Sequence, residues 1–193
     1  MNDCTPNTES AGEDDALNIV LDFWLRQTGP DLWFTRDDAL DEKIRNDFLA
    51  LHTKAVAGEL AHWRKTPSGC LGEIILLDQF SRNLYRDDPR AFAADSQARE
   101  ILALALAAGF DVGMSADGRR FLYMPLQHSE NAADQARSVE LFRTLEDDKL
   151  FEYTLRHQEI VARFGRFPHR NAALGCKSTT EEIAFLQEPN SSF

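Results

Sequence analysis

Cysteine is scarce in this chain: Cys4, Cys70 and Cys176 are odd in number and too far apart for a C-x-x-C pair. That argues against a disulfide framework and a thiolate zinc site, and places the protein in a reducing compartment. Long apolar runs are lacking too, since no stretch approaches the ~20 residues a membrane helix needs. The first residues, MNDCTPNTESAGEDD, are acidic and polar where a secretory signal is basic and then apolar. The expected location is the cytoplasm, with no membrane partner. Positive charge is in short supply: 21 Lys and Arg stand against 32 Asp and Glu, a formal net charge of −11. Phosphate neutralisation needs the opposite balance, so DNA and RNA are not expected partners. Strand-like alternation and Asn-Gly hairpin signals are missing, and no helical-repeat period of about 33 to 47 residues emerges. G-x-S-x-G, HExxH and P-loop patterns are also lacking, so no reaction class is favoured by motif.

What is present is helical periodicity. At 193 residues and 43% hydrophobic content the chain suits one domain with an ample core. Residues 1–14 lack apolar spacing and are expected to be a disordered acidic leader, with a single helical domain over 15–188 and a frayed tail over 189–193. Leu17, Val20, Leu21 and Trp24 mark a first helix ending near Gly29-Pro30. Leu40, Ile44, Phe48, Leu51 and Ala55 mark a second over Asp38 to Ala57. A third is expected from Cys70, after a Pro67-Ser68-Gly69 break, to about Arg86. Asp88-Pro89 reads as N-cap and first residue of a fourth, running to Ala108. Pro125 reads as the first turn of another, which places His128 and Glu130 near a helix start, followed by helices over about Asn131 to Leu145 and Asp148 to Phe164. Ser178 to Glu181 reads as a capping box opening the last. The fold class is therefore all-α, about seven packed helices without a sheet.

Three polar features interrupt this apolar framework. Phe164 to Asn171, FGRFPHRN, sets Arg166, His169, Arg170 and Asn171 on an aromatic turn that Gly165 and Pro168 prevent from continuing as helix. Asp78, Gln79, Arg82, Asn83 and Arg86 share an arc of about 140° on an ideal helix that begins with the fully apolar Ile74 to Leu77. His157 falls in the middle of an apolar stripe. Charge is also uneven: Arg156 to Lys177 holds five basic residues against Glu159 alone, a net +4 that leaves −15 elsewhere. A basic island in an acidic protein attracts a small anion.

The ordered strings LDFW (Leu21 to Trp24), LLDQFSRN (Leu76 to Asn83), YRDDPRAF (Tyr85 to Phe92), FLYMPLQHSE (Phe121 to Glu130), RFGRFPHRN (Arg163 to Asn171) and STTEE (Ser178 to Glu182) resemble the bacterial family called domain of unknown function 924. The resemblance spans about Ala16 to Leu186 and departs at Gln127, Cys176 and Lys177. It implies an all-helical fold of packed hairpins similar to tetratricopeptide-repeat domains, and no established activity.

The function expected from these residues is a polar pocket for a small anionic metabolite. Asp78, Arg82, Asn83, Arg86, Arg166, His169, Arg170 and Asn171 would bind the ligand, because arginine forks grip carboxylate or phosphate bidentately. His128, Glu130 and His157 are the candidates for acid/base work, since an imidazole beside a carboxylate moves protons near neutral pH. The alternative is a helical-repeat-like scaffold binding a protein or peptide on a concave face. A metal on His128, Glu130, His157 and His169 is not favoured, because neighbouring arginines repel a cation and the spacing lacks i,i+4 histidine pairs. The sequence names no cofactor and sets no oligomeric state.

Overall fold

Helix starts follow from caps that the sequence supplies. In the computed structural model, which describes residues 8–189 and 191 with side chains from Asp15 onward, Asp37, Thr66, Ser115, Asn131, Asp147 and Thr179 each turn an oxygen onto a backbone N–H two or three residues ahead. Each opens a helix by satisfying a donor that the first turn leaves unpaired. The elements are α1 (Thr8–Asp22), α2 (Pro30–Trp33), α3 (Asp38–Val56), α4 (Pro67–Ile74), α5 (Ser81–Leu84), α6 (Asp95–Ala107), α7 (Ala116–Gln127), α8 (Ala132–Arg143), α9 (Asp148–Phe164) and α10 (Thr180–Phe185). Short 3-10 segments lie at Ala61–Lys65, Pro89–Phe92 and Pro168–Arg170, and π-turns at Phe23–Thr28 and Ile75–Phe80. No strand occurs among the described residues. The all-α expectation holds, with seven helices of eight or more residues among those described.

Several boundaries differ from the sequence reading, each for a local reason. The expected leader over 1–14 lies outside the described residues up to Asn7, and from Thr8 onward it is helical. Pro67-Ser68-Gly69 is the first turn of α4, with Thr66 as cap and Pro67 at N1, where a missing N–H has no consequence. Gly69 is needed there, because a Cβ would stand 1.8 Å from the Trp63 carbonyl oxygen. The helix expected from Pro89 to Ala108 breaks at Ala93-Ala94, giving the 3-10 turn and then α6. Pro125 lies inside the last turn of α7, where its missing N–H removes one i→i−4 bond and the helix ends two residues later. The capping box is Thr179 with Glu182, one residue later than Ser178 with Glu181. Of the tail, Ser191 is buried and donates to the Leu186 carbonyl at 3.2 Å.

The core is centred on Trp24, which meets Phe80 and Phe121 edge-on at 5.5 and 5.6 Å, while Phe23 packs on Phe48 at 4.8 Å. Such pairs contribute ~0.5–1.5 kcal/mol each beyond burial. Trp33 is pinned by donating Nε1–H to the Trp24 carbonyl at 2.8 Å, whereas Phe34 stays 62% exposed. On α3 the inner stripe runs Leu40, Ile44, Phe48, His52, Ala55, with Leu51 half-buried beside it. A second, smaller apolar cluster of Ile160, Val161, Phe167 and Phe185 joins the end of α9 to α10. The polar residues lie between these two clusters.

Candidate functional site

The helical run from Pro67 to Leu84 passes through the interior, because Ile74 to Leu77 are apolar on every side and wholly buried. Its next residue, Asp78, therefore emerges inside the protein, at 0% exposure. His128 Nδ1 lies 2.8 Å from Asp78 Oδ1. A carboxylate only accepts, so Nδ1 carries the proton, and in the neutral ring Nε2 keeps the lone pair. Gln79 donates to the other Asp78 oxygen at 2.6 Å, and Arg82 Nη1 stands 3.1 Å from Oδ1. Burial works to raise the Asp78 pKa, but Arg82 and His128 outweigh it and hold the carboxyl well below the usual carboxylate range. For His128, burial and then Arg82 outweigh Asp78, so the ring lies below its ordinary pKa and is neutral near pH 7.

Arg82 also forks onto Asp95, Nη1 to Oδ1 at 3.1 Å and Nη2 to Oδ2 at 3.2 Å. Asp95 is the first residue of α6, where the helix dipole favours a carboxylate. Its Oδ2 accepts a long 3.5 Å bond from Arg170 Nη1, while Arg170 Nη2 donates to the His128 carbonyl at 2.9 Å. Arg170, Asp95, Arg82, Asp78 and His128 thus close on one another. Arg170 is 7% exposed and its guanidinium lies between the Phe92 and Phe167 rings, 4.6 and 4.7 Å from their centroids. Its Nε–H is buried without a hydrogen-bond partner. Burial, reinforced by Arg82, pushes the Arg170 pKa down to about 10.

Two more imidazoles border the cluster. The His157 ring is 6.3 Å from that of His128 and 5.5 Å from Phe167, and its Nδ1 donates to the Tyr153 carbonyl at 2.7 Å. Burial pushes both His157 and His169 down to about 3, with Arg170 and Arg82 adding to the effect at His169. The turn that delivers His169 and Arg170 starts where Gly165, at φ 70°, ends α9 in a left-handed cap. Glu130 holds that turn in place by accepting the Phe167 N–H at 2.8 Å. Among the described residues no group of three His, Cys, Asp or Glu converges on a metal position, and no helix is long and apolar enough to cross a membrane.

Residues 20–190 contain this whole constellation, and they match the family described as bacterial protein of unknown function, DUF924. The chain belongs to this family. A solved structure, the protein of unknown function ATU0120 from Agrobacterium tumefaciens, is 36% identical to it. The two superpose with a TM-score of 0.86 over 90% of this chain and 98% of that one. No curated protein matches.

In this DUF924 protein the expected site residues divide into two groups. Asp78, Arg82, His128, His157, His169 and Arg170 are brought together, with Glu130 supporting the turn from an exposed position. Asn83 and Arg86 are not: both bind Asp41 of α3, Asn83 Nδ2 to Oδ1 at 2.8 Å and Arg86 through Nε and Nη2. They border a separate surface depression of about 290 Å³ with Arg36 and Arg45. For Arg86 the reason is that α5 ends at Leu84, with Tyr85 at φ −131° and ψ 44°, so Arg86 lies beyond the helix, while Asn83 stands one residue, about 100°, round α5 from Arg82 and reaches α3. Arg166 turns away from Arg170 and forks onto Glu182 at 2.6 and 2.9 Å, also donating to the Lys177 carbonyl. Asn171 donates to Ser178 at 3.0 Å. These two hold α10 against the turn. His128 caps the C-terminus of α7, so the expected helix N-terminal dipole does not act there. No sequence signal marked Asp95, which reads as an ordinary polar position in an alanine-rich helix, and Phe92, which lies over both Arg82 and Arg170, stood only as the end of the YRDDPRAF string with no role.

Proposed function

We propose that this DUF924 protein binds a small anionic metabolite at the Arg170, Asp95, Arg82, Asp78, His128 cluster, with His128 as its acid/base group. The observation that carries the reading is Arg170. Its guanidinium is buried, crowded by Arg82, and left with an unpaired Nε–H, so an anion beside it relieves a penalty the empty site retains. Perturbed charges of this kind gather where ligands bind. Asp78 fixes His128 as the Nδ1–H tautomer, leaving Nε2 to take a proton, and 15% of the His128 side chain remains exposed. The other reading, a tetratricopeptide-like scaffold gripping a peptide, draws on the surface depression of about 340 Å³ around Lys149, Glu152, Tyr153, Arg156 and Pro189. That surface holds one exposed aromatic, Tyr153, among charged neighbours, a weak anchor for a partner.

Melting curves of wild type and Arg170→Met in formate, acetate, phosphate and sulfate at constant ionic strength test the proposal. An anion at 100 times its Kd stabilises by ~2.7 kcal/mol, which raises Tm by roughly 5–10 °C in a domain of this size. The shift is expected in wild type and absent in Arg170→Met. Equal shifts in both proteins, or none in wild type, overturn it.

A further inference from the structure

The segment from Phe167 to Cys176 is bonded to itself. Arg170, Asn171, Leu174, Gly175 and Cys176 donate their N–H groups to the carbonyls of Phe167, Pro168, Arg170, Ala172 and Asn171 at 2.8 to 3.2 Å. Moving the segment as one piece leaves these bonds unbroken, so its backbone stays satisfied. Its two ends are held together by Arg166, which forks onto Glu182 and donates to the Lys177 carbonyl. Gly165, left-handed at φ 70°, precedes it, and residues 177–179, in no regular element, follow it. Phe167, Pro168, Arg170 and Asn171 are buried, while Ala172, Leu174, Gly175 and Cys176 are exposed. A self-bonded segment with clamped ends, lying across an interior it can leave, is an Ω-loop.

Toward the body, the Phe167 N–H donates to Glu130 at 2.8 Å, the Phe167 ring meets that of His157 at 5.5 Å, and Arg170 reaches Asp95, the His128 carbonyl and the Phe92 ring. Burial of Phe167 with Ile160, Val161 and Phe185 favours this closed position. Arg170 works against it. Its bond to Asp95 is long at 3.5 Å and its Nε–H is buried without a hydrogen-bond partner, so withdrawal to solvent restores hydration that burial denies. Nor does withdrawal orphan Asp95, which still accepts both Arg82 nitrogens at 3.1 and 3.2 Å.

We propose that Phe167 to Cys176 is a strap that swings out as one piece, carrying Arg170 into solvent and opening the interior cluster of Asp95, Arg82, Asp78 and His128. The closed position is the resting one. Opening uncovers the groups that Arg170 touches, which are Asp95 Oδ2, the His128 carbonyl and the Phe92 ring, and water enters the cluster through the place that Arg170 vacates. The motion needs no ligand, so it stands or falls separately from the anion reading.

The test is modification of the full chain by phenylglyoxal, an arginine reagent, in chloride buffer at pH 8, with the rate at each arginine read from peptide masses. In the closed form the Arg170 side chain is 8% exposed and that of Arg82 21%, so a protein that stays closed is modified faster at Arg82. Opening reverses the order, because Arg170 leaves with the strap while Arg82 stays on Asp78 and Asp95. Glu130→Ala removes the acceptor of the Phe167 N–H and a carboxylate that acts on Arg170. It should raise the Arg170 rate about tenfold, the ratio that one hydrogen bond of ordinary strength gives, with the Arg82 rate and Tm little changed. Arg82 modified ahead of Arg170 in wild type overturns the strap. So does an Arg170 rate that Glu130→Ala leaves unchanged, or raises only together with the Arg82 rate and a fall in Tm. Each of these failures leaves the melting-curve test of the anion site standing.

Discussion

Asp95 and Arg170 are in contact, yet their removal should have unequal consequences. Asp95 accepts both Arg82 nitrogens at 3.1 and 3.2 Å and Arg170 at 3.5 Å, with only 8% of the residue exposed. Asp95→Asn removes the charge and turns an amide donor toward guanidinium donors, leaving Arg170 without the carboxylate it touches. Breaking a buried pair in this way costs about 3–5 kcal/mol. Arg170→Met is different. Holding Arg170 charged at a pKa of about 10 in place of 12.5 costs about 3 kcal/mol at ~1.4 kcal/mol per unit, and methionine removes that cost. Against it stand the bond to the His128 carbonyl, about 1.5–3 kcal/mol for a charged donor, and two ring contacts of about 0.5–1 kcal/mol each. The two sides are of the same order, so Arg170→Met should cost at most about 2 kcal/mol, less than Asp95→Asn. Urea unfolding of both variants and the double variant, in chloride buffer, measures this. The double variant should recover much of what Asp95→Asn loses. If Arg170→Met costs as much as Asp95→Asn, Arg170 is a scaffold cation and the frustration attributed to it does not exist.

The histidines set an acid limit. Because His157 and His169 are pushed to about 3 from an ordinary 6.5, the unfolded chain binds more protons below pH 6.5, so stability is complete above that value and falls continuously toward pH 3. At pH 5 each accounts for up to about 2 kcal/mol, and urea midpoints equal at pH 7.5 and pH 5 would contradict this. Asp78 acts in another window, since its depressed carboxyl contributes above the ordinary carboxylate range and is lost only below it. Arg166→Met should release α10 from the turn, seen as faster amide exchange over Thr180–Phe185, while leaving any anion-induced rise in Tm unchanged. Loss of the anion response in that variant would return Arg166 to the site.

Periodicity made most of the fold legible because helices bury stripes, and the stripes of α3 and α9 stand in the sequence at three- and four-residue spacing. What periodicity assumes is an even turn. It also assumes that the helix continues, and α5 ends at Leu84 with a non-helical Tyr85, so Arg86 leaves the arc and joins Asn83 on Asp41 while Asp78 and Arg82 reach the cluster. Proline and glycine were similarly ambiguous: Pro67 begins a helix, Pro125 nearly ends one, and Gly69 is set by the Trp63 carbonyl above it. Local residue type marks a boundary, but tertiary contact decides on which side of it the helix lies.

For the site, residue type identified the polar groups but not their pairing. Arg166 and Arg170 are equivalent in FGRFPHRN, both arginines on one aromatic turn. They differ because Glu182 stands sixteen residues from one and Asp95 seventy-five from the other, distances at which no pattern constrains the partner. The quality of each pairing is what separates scaffold from candidate site. Arg166 makes two short bonds to a carboxylate that is held down to about 2 by that arginine, and its charge is satisfied at the surface. Arg170 makes one long bond to a carboxylate already engaged by Arg82, and does so in the interior. A sequence in which every interior charge were as well matched as Arg166 would specify this fold equally well. The mismatch at Arg170 is therefore not required by the architecture, and a ligand that completes the pairing gives it a physical reason to exist.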